Sequence, residues 1–234
     1  MEIALEILVD HSGSMAGKKF DRAKQILTDV APDLLGCATW IGAKTFSGNS
    51  NMINSVYEYK LNTKDSDKLY DFISKIKDPS GGTPIAGAIR DVVKSFRFLR
   101  QQVEEFVPKV VLITDGWDTS GGDWKAEIEQ AKLDGIDCEI HIVGIELDEA
   151  TKKLAQEAAL QTGGTFTAVS SVLSGSETEK LIDTFRNSVL SLKPKLLIHT
   201  LNLRADLKIE FSLPVDLTAE EADKIAKFIK ILPL

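Results

Sequence analysis

Short apolar runs alternate along this chain with amphipathic stretches, and that alternation restricts the fold more than any other property of the sequence. In residues 2–9, Ile3, Leu5, Ile7 and Leu8 lead as a buried strand straight to Asp10. Over 18–35, Phe20, Ala23, Ile26, Leu27, Val30 and Leu34 recur at the spacing of one helical face. Pro32 falls inside that stretch, so its last turn is expected to end early or bend. Strands are predicted over 37–46 and 52–59. The turn 47–51 between them is too short for a parallel crossover, which makes the pair antiparallel. Helices follow over 66–76 and 85–105, the second after the break at 79–82 and with Pro84 suited to the first helical position. Residues 109–114 are continuously apolar, as in the middle of a parallel sheet. A helix capped by Asp123 runs to about 134, and then come a strand at 136–143, a helix at 149–161, an edge strand at 165–168 and a helix at 177–190.

The expected fold is therefore α/β: a doubly wound, mainly parallel sheet with one antiparallel edge strand and helices on both faces. The end of the chain differs. Strands are predicted over 195–203 and 207–213, and a helix over 219–231 that starts behind Thr218, Glu220 and Glu221. This reads as a C-terminal β-β-α extension (193–234) packed on a main domain (1–192).

Composition narrows the partners. Of 234 residues, 43% are hydrophobic, enough for a core, and 28 basic against 35 acidic side chains leave a formal charge of −7. That balance disfavours a phosphate backbone, so no nucleic acid is expected. No apolar run approaches membrane-spanning length and no leader-like segment precedes the first strand, so the expectation is a cytoplasmic chain with no membrane partner. Cys37 and Cys138 lie in apolar runs read as strands, without metal or redox spacing, and are expected to be reduced, buried thiols.

Three polar segments occur where strands end or the next helix begins: Asp10-x-Ser12-x-Ser14, Gly81-Gly82-Thr83-Pro84 and Thr114-Asp115-Gly116. Open α/β sheets bind ligands at that rim. Together the segments offer two carboxylates, from Asp10 and Asp115, and three hydroxyls, from Ser12, Ser14 and Thr83. Such an all-oxygen set suits a hard cation; magnesium is expected, with manganese or calcium as alternatives. Neutral hydroxyls beside two carboxylates leave positive charge on the ion to attract an acidic group. Gly13 is expected to supply a positive φ around the ion, and Gly81 and Gly82 to let Thr83 approach closely.

In this order and strand context the three segments resemble the metal-ion-dependent adhesion site of the von Willebrand factor type A family, over roughly residues 1–190. The resemblance implies that Ser12, Ser14 and Thr83 are direct or near-direct ligands. It implies that Asp10 and Asp115 act mainly through water, and that a partner's Glu or Asp takes an open coordination position. It also implies the doubly wound sheet with an antiparallel edge. Intracellular members often work beside ATPases or other multidomain machinery, which makes such a complex a candidate partner.

His11, Trp117 and Asp118 are candidates for a partner-binding rim, each with an ordinary alternative: a loop side chain, packing over the site, or a cap. Met15, His141 and His199 read as packing residues. The function expected is a metal-dependent, non-enzymatic protein-binding module. A scaffold with a stabilising metal and a metal-dependent hydrolase are the alternatives. The hydrolase has only His11 as a nearby histidine base, and the chain lacks the Gly-x-x-x-x-Gly-Lys-Ser/Thr phosphate loop and the Gly-x-Ser-x-Gly elbow.

Overall fold

Strand β1 (Ile3–Asp10) is buried along its whole length, which its unbroken apolar character requires of a strand with neighbours on both sides. A computed structural model of the chain describes residues 2–49, 52–170 and 183, together with the backbone of two strands near the C-terminus. After β1 come α1 (Lys18–Cys37), β2 (Trp40–Asn49), β3 (Met52–Asn54), β4 (Glu58–Thr63) and α2 (Ser66–Lys75). They are followed by α3 (Ile85–Arg100), β5 (Val107–Thr114), α4 (Trp124–Leu133), β6 (Glu139–Ile145), α5 (Glu149–Gln161) and β7 (Phe166–Val169).

The sheet has seven strands in the order β3-β2-β1-β5-β6-β7, with β4 also paired to β2. Pairs β1–β2, β1–β5, β5–β6 and β6–β7 are parallel, while β3 and β4 run antiparallel to β2. This is the mainly parallel, doubly wound sheet with an antiparallel edge that the alternation predicted. Side chains alternate across β1. Ile3, Leu5, Ile7 and Val9 pack with α1 and α2 on one face, and Ala4 and Leu8 with α3, α4 and α5 on the other. Winding proceeds from β1 to β2 in one direction and from β5 to β7 in the other. The order therefore reverses between β1 and β5, the place where open α/β sheets form a ligand crevice beyond the strand ends.

Four local expectations are corrected. Helix α1 does not end early at Pro32 but continues to Cys37, because Ala31 and Leu34 on either side are fully buried and that packing outweighs the one backbone hydrogen bond a proline forfeits. Cys37 is consequently an exposed residue at a helix end, not a buried one in a strand, and β2 starts at Trp40. Cys138 is buried just ahead of β6, and burial pushes its thiol up to about 12. The run 52–59 divides into β3 and β4 because the Thr45 hydroxyl intercepts the Tyr57 N–H at 3.1 Å and interrupts the ladder. Helix α3 ends at Arg100, and Pro84 is its N-cap residue rather than its first helical one.

One charged group lies within the sheet on the α3 side. Lys44 Nζ is 3.0 Å from Asp91 and 3.2 Å from the Ser95 hydroxyl, with Glu58 at 3.7 Å and Glu6 at 3.8 Å. Burial pushes the Glu6 carboxyl up to about 7, against the opposing pull of Lys44.

The chain divides into two units, Met1–Ser191 and Leu192–Leu234. In the second, β8 (Leu196–Arg204) and β9 (Leu207–Pro214) form an antiparallel ladder, irregular between Asn202 and Arg204. The helix expected at 219–231 lies outside the described residues, as does that at 177–190 apart from Asp183. Among the described residues no helix is long and apolar enough to cross a membrane.

Candidate metal centre

Asp10 ends β1 and Thr114 ends β5, so parallel pairing of these strands sets the first and third polar segments side by side. The Asp10 carboxylate is fully buried. Its Oδ1 accepts the Ser12 N–H at 2.8 Å, closing a tight turn, and its Oδ2 accepts the Thr114 hydroxyl at 2.6 Å. Burial pushes Asp10 up to about 6. The hydrogen bonds from Thr114 and Ser12 oppose that rise, and the nearby charge of Asp115 adds to it.

Past this turn the chain enters a short 3-10 helix, Gly13–Met15, which places Ser12 Oγ 3.0 Å from Ser14 Oγ. Ser14 donates at 2.8 Å to Asp115 Oδ1. The other Asp115 oxygen, Oδ2, lies 2.6 Å from Lys19 Nζ on the first turn of α1. Four of the five predicted side chains therefore stand around the β1–β5 crevice, joined as Ser12–Ser14–Asp115 with Asp10 held beside them through Thr114.

Thr83 comes to the same rim on its own loop and is itself buried. Backbone bonds lash that loop down: Gly13 N–H donates to the Gly81 carbonyl at 2.9 Å and Ser80 N–H to the His11 carbonyl at 2.7 Å. Gly82 forms a bridge with Gly48 at the end of β2. The second glycine is needed there, since a Cβ at Gly82 would stand 2.8 Å from the Gly48 carbonyl oxygen. Gly81 has a φ of 93°. Gly13, by contrast, is not among the positive-φ glycines, and a Cβ on it would meet only ordinary contacts. Its tight turn is supplied by the 3-10 helix instead.

The rim candidates fall in three different places. His11 is 2% exposed, its Nε2 donating to the Lys77 carbonyl at 2.7 Å and its ring packed edge-on against Phe20 and Tyr57. It lies beneath the loop, because Phe20 of α1 and Tyr57 just ahead of β4 shelter its ring better than solvent does. Trp117 is half-buried and T-shaped against Trp124 at 5.6 Å. Asp118 turns inward. Its Oδ1 accepts from the Ser120 N–H, the Ser120 hydroxyl and the Gly122 N–H, and its Oδ2 from Ala86 N–H at 2.8 Å. Asp118 thereby satisfies an open donor at the start of α3, where the Pro84 cap makes no side-chain bond of its own. Asp123 caps α4 as expected, accepting from Lys125 and Ala126 N–H.

Three participants escaped the sequence reading. Thr114 was visible only as the neighbour of Asp115. Thr119 exchanges two bonds with Thr83, its hydroxyl accepting the Thr83 N–H and its N–H donating to the Thr83 carbonyl, both at 3.0 Å. Lys19 had no local signal, since its partner is far away in sequence. Among the described residues no three His, Cys, Asp or Glu side chains gather as a metal cage. The centre instead combines two carboxylates with hydroxyls.

Comparison with known proteins bears on the fold. Residues 5–182 match the model of the von Willebrand factor type A domain. The uncharacterized protein YwmD of Bacillus subtilis (strain 168) is 31% identical over 179 residues, covering 70% of this chain and 78% of that protein. Among solved structures, proximal thread matrix protein 1 from the mussel byssus superposes with a TM-score of 0.59 at 20% identity, over 78% of this chain and 47% of the other. A form of it with a zinc-occupied MIDAS motif gives 0.58 at 19% identity, over 78% and 46%. The pilus adhesin SpaC of Lactobacillus rhamnosus GG, in its open conformation, gives 0.52 at 19%, over 80% and 30%. The chain thus spans less than half the length of these structures, and the likeness to them is one of fold. With the matched model covering most of the chain and the three motif segments meeting at one strand-end crevice, the protein belongs to the von Willebrand factor type A domain family.

Proposed function

We propose that this chain is a divalent-cation-dependent protein-binding module whose partner supplies a Glu or Asp carboxylate. One observation carries the reading: residues about a hundred positions apart form a hydrogen-bonded line, Ser12–Ser14–Asp115, beside the buried Asp10 at the switch point of the sheet. Buried carboxylates and converging hydroxyls are hard oxygen donors. The centre already attracts positive charge, since the Lys19 ammonium stands on Asp115. Asp10, Ser12, Ser14, Thr83 and Asp115 would hold the ion, and the all-oxygen set favours magnesium. When bound, the cation supplies a concentrated positive charge that draws an incoming carboxylate. The chain's own part is orientation: Thr114 and the Ser12 N–H fix Asp10, while Thr119 and the two glycines fix Thr83.

Binding is favoured over hydrolysis by the position of His11, which is buried with Nε2 committed to the Lys77 carbonyl and so is poorly placed to act as a base. The mussel protein's zinc-occupied motif supports a metal site in this fold, and the likeness to a pilus adhesin supports a binding role.

The test is calorimetry with magnesium, manganese and calcium on the wild type, Asp10→Ala and Thr83→Ala, followed by partner capture with magnesium or with EDTA. Both substitutions should weaken metal binding and capture while circular dichroism stays native. Capture that is indifferent to EDTA would overturn the reading.

A further inference from the structure

We propose that Lys19 is an internal counter-cation, holding Asp115 in the metal-free protein and giving it up when a divalent ion binds, so that this side chain sets the metal affinity. The inference rests on the metal-centre reading above and concerns a residue outside its ligand set.

Lys19 lies in the first turn of α1, beside Lys18, where the helix dipole disfavours cations. Its position is accounted for by Asp115, whose side chain is fully buried and whose Oδ2 it meets at 2.6 Å. The two Asp115 oxygens are divided: Oδ1 faces the Ser14 hydroxyl of the donor set and Oδ2 faces the ammonium. Asp10 adds a second buried carboxylate nearby. Without a cation, two such carboxylates repel each other in a poorly solvated crevice, and a buried carboxylate left alone is costly. Lys19 relieves that repulsion from within the chain.

A dication at the same donors competes for Asp115 and repels the ammonium. Lys19 can yield because its side chain is 27% exposed, so its flexible stem can carry the ammonium to solvent. The ion pair therefore stabilises the metal-free centre and opposes metal entry by the same contact. Trading one cation for the other keeps Asp115 neutralised throughout.

The experiment compares magnesium and manganese affinity of the wild type, Lys19→Met and Lys19→Arg by calorimetry, with thermal melting in EDTA and in excess magnesium. Lys19→Met should bind metal about tenfold more tightly, the scale of one partly screened charge contact. It should also melt lower than wild type in EDTA, with the gap closing in magnesium. Lys19→Arg should stay close to wild type in affinity. Equal affinities for wild type and Lys19→Met, with both binding, would overturn this proposal and leave the metal centre standing. No binding by either would overturn both. Should Lys19→Met not fold, the wild type answers by amine acylation with acetic anhydride, read by mass spectrometry. Labelling of Lys19 should rise several-fold when magnesium is bound, and labelling unchanged at metal saturation would count against the exchange.

Discussion

The Thr114 hydroxyl donates to Asp10 Oδ2 at 2.6 Å, tying the last residue of β5 to the last residue of β1. The two strands are parallel neighbours, with Val9 opposite Ile113, so the next position on each brings the pair together. This contact stands where the sheet changes winding direction, and it orients a carboxylate that has no access to solvent.

Thr114→Val keeps the branched shape and removes the donor. The folded protein should lose about 1–3 kcal/mol, the range for a buried group that loses a charge-assisted bond. Magnesium affinity should also fall, because Asp10 is freed to rotate. Urea unfolding and calorimetry measure the two effects, and unchanged values for both would show that the contact does not orient Asp10.

Gly82→Ala places a Cβ 2.8 Å from the Gly48 carbonyl, a backbone atom that cannot step aside. The 80–83 loop must shift, and Thr83 with it. A loss of about 1–3 kcal/mol is expected from the overpacking, together with weaker metal binding. Since Gly82 offers the ion no side chain, a drop in affinity would report loop position alone. Native affinity in a folded Gly82→Ala protein would contradict the role given to the loop.

Asp118→Ala removes the acceptor of four hydrogen bonds, one of them from the start of α3. Loss of a helix-end acceptor costs about 0.5–2 kcal/mol, and the expected fall in stability lies at or above that range. Metal affinity should drop less than in Thr83→Ala, because Asp118 braces the loop from behind. If Asp118→Ala left stability untouched and abolished partner capture, Asp118 would instead be a contact residue of the rim.

Glu6 gives the protein a pH signature. Its folded carboxyl is raised to about 7 from an ordinary 4.5, chiefly by burial. Between those values the folded state keeps a proton that the unfolded state releases. Its contribution to stability is thus complete below about pH 4.5 and is lost as pH rises through 7. Glu6→Gln removes this dependence, so its stability relative to wild type should improve as pH increases from 5 to 8, by at most about 3 kcal/mol. Unfolding curves at four pH values test this, and a constant difference between the two proteins across the window would refute it.

Much of this fold is local in origin. Short apolar runs identified the strands of the sheet, and the 3.6-residue spacing identified its helices. Asp123 could be read as a cap because a cap bonds to the next turn of its own helix. Local reasoning failed where distant packing decided: Pro32 inside a helix anchored by Ala31 and Leu34, and Cys37 on the surface at its end. It failed also at His11, whose polarity suggested the rim while Phe20 and Tyr57 offered it a buried pocket.

The sequence by itself determined that Asp10, Ser12, Ser14 and Asp115 stand at or just past strand ends, which a mainly parallel sheet gathers on one rim, and that Thr83 stands behind a glycine turn. Only the tertiary structure decided what else touches them. Lys19 on Asp115, Thr114 on Asp10 and Thr119 on Thr83 are contacts between segments whose separation along the chain bears no relation to their separation in space. Strand pairing and helix packing set those distances, and side-chain bonding follows from the distances.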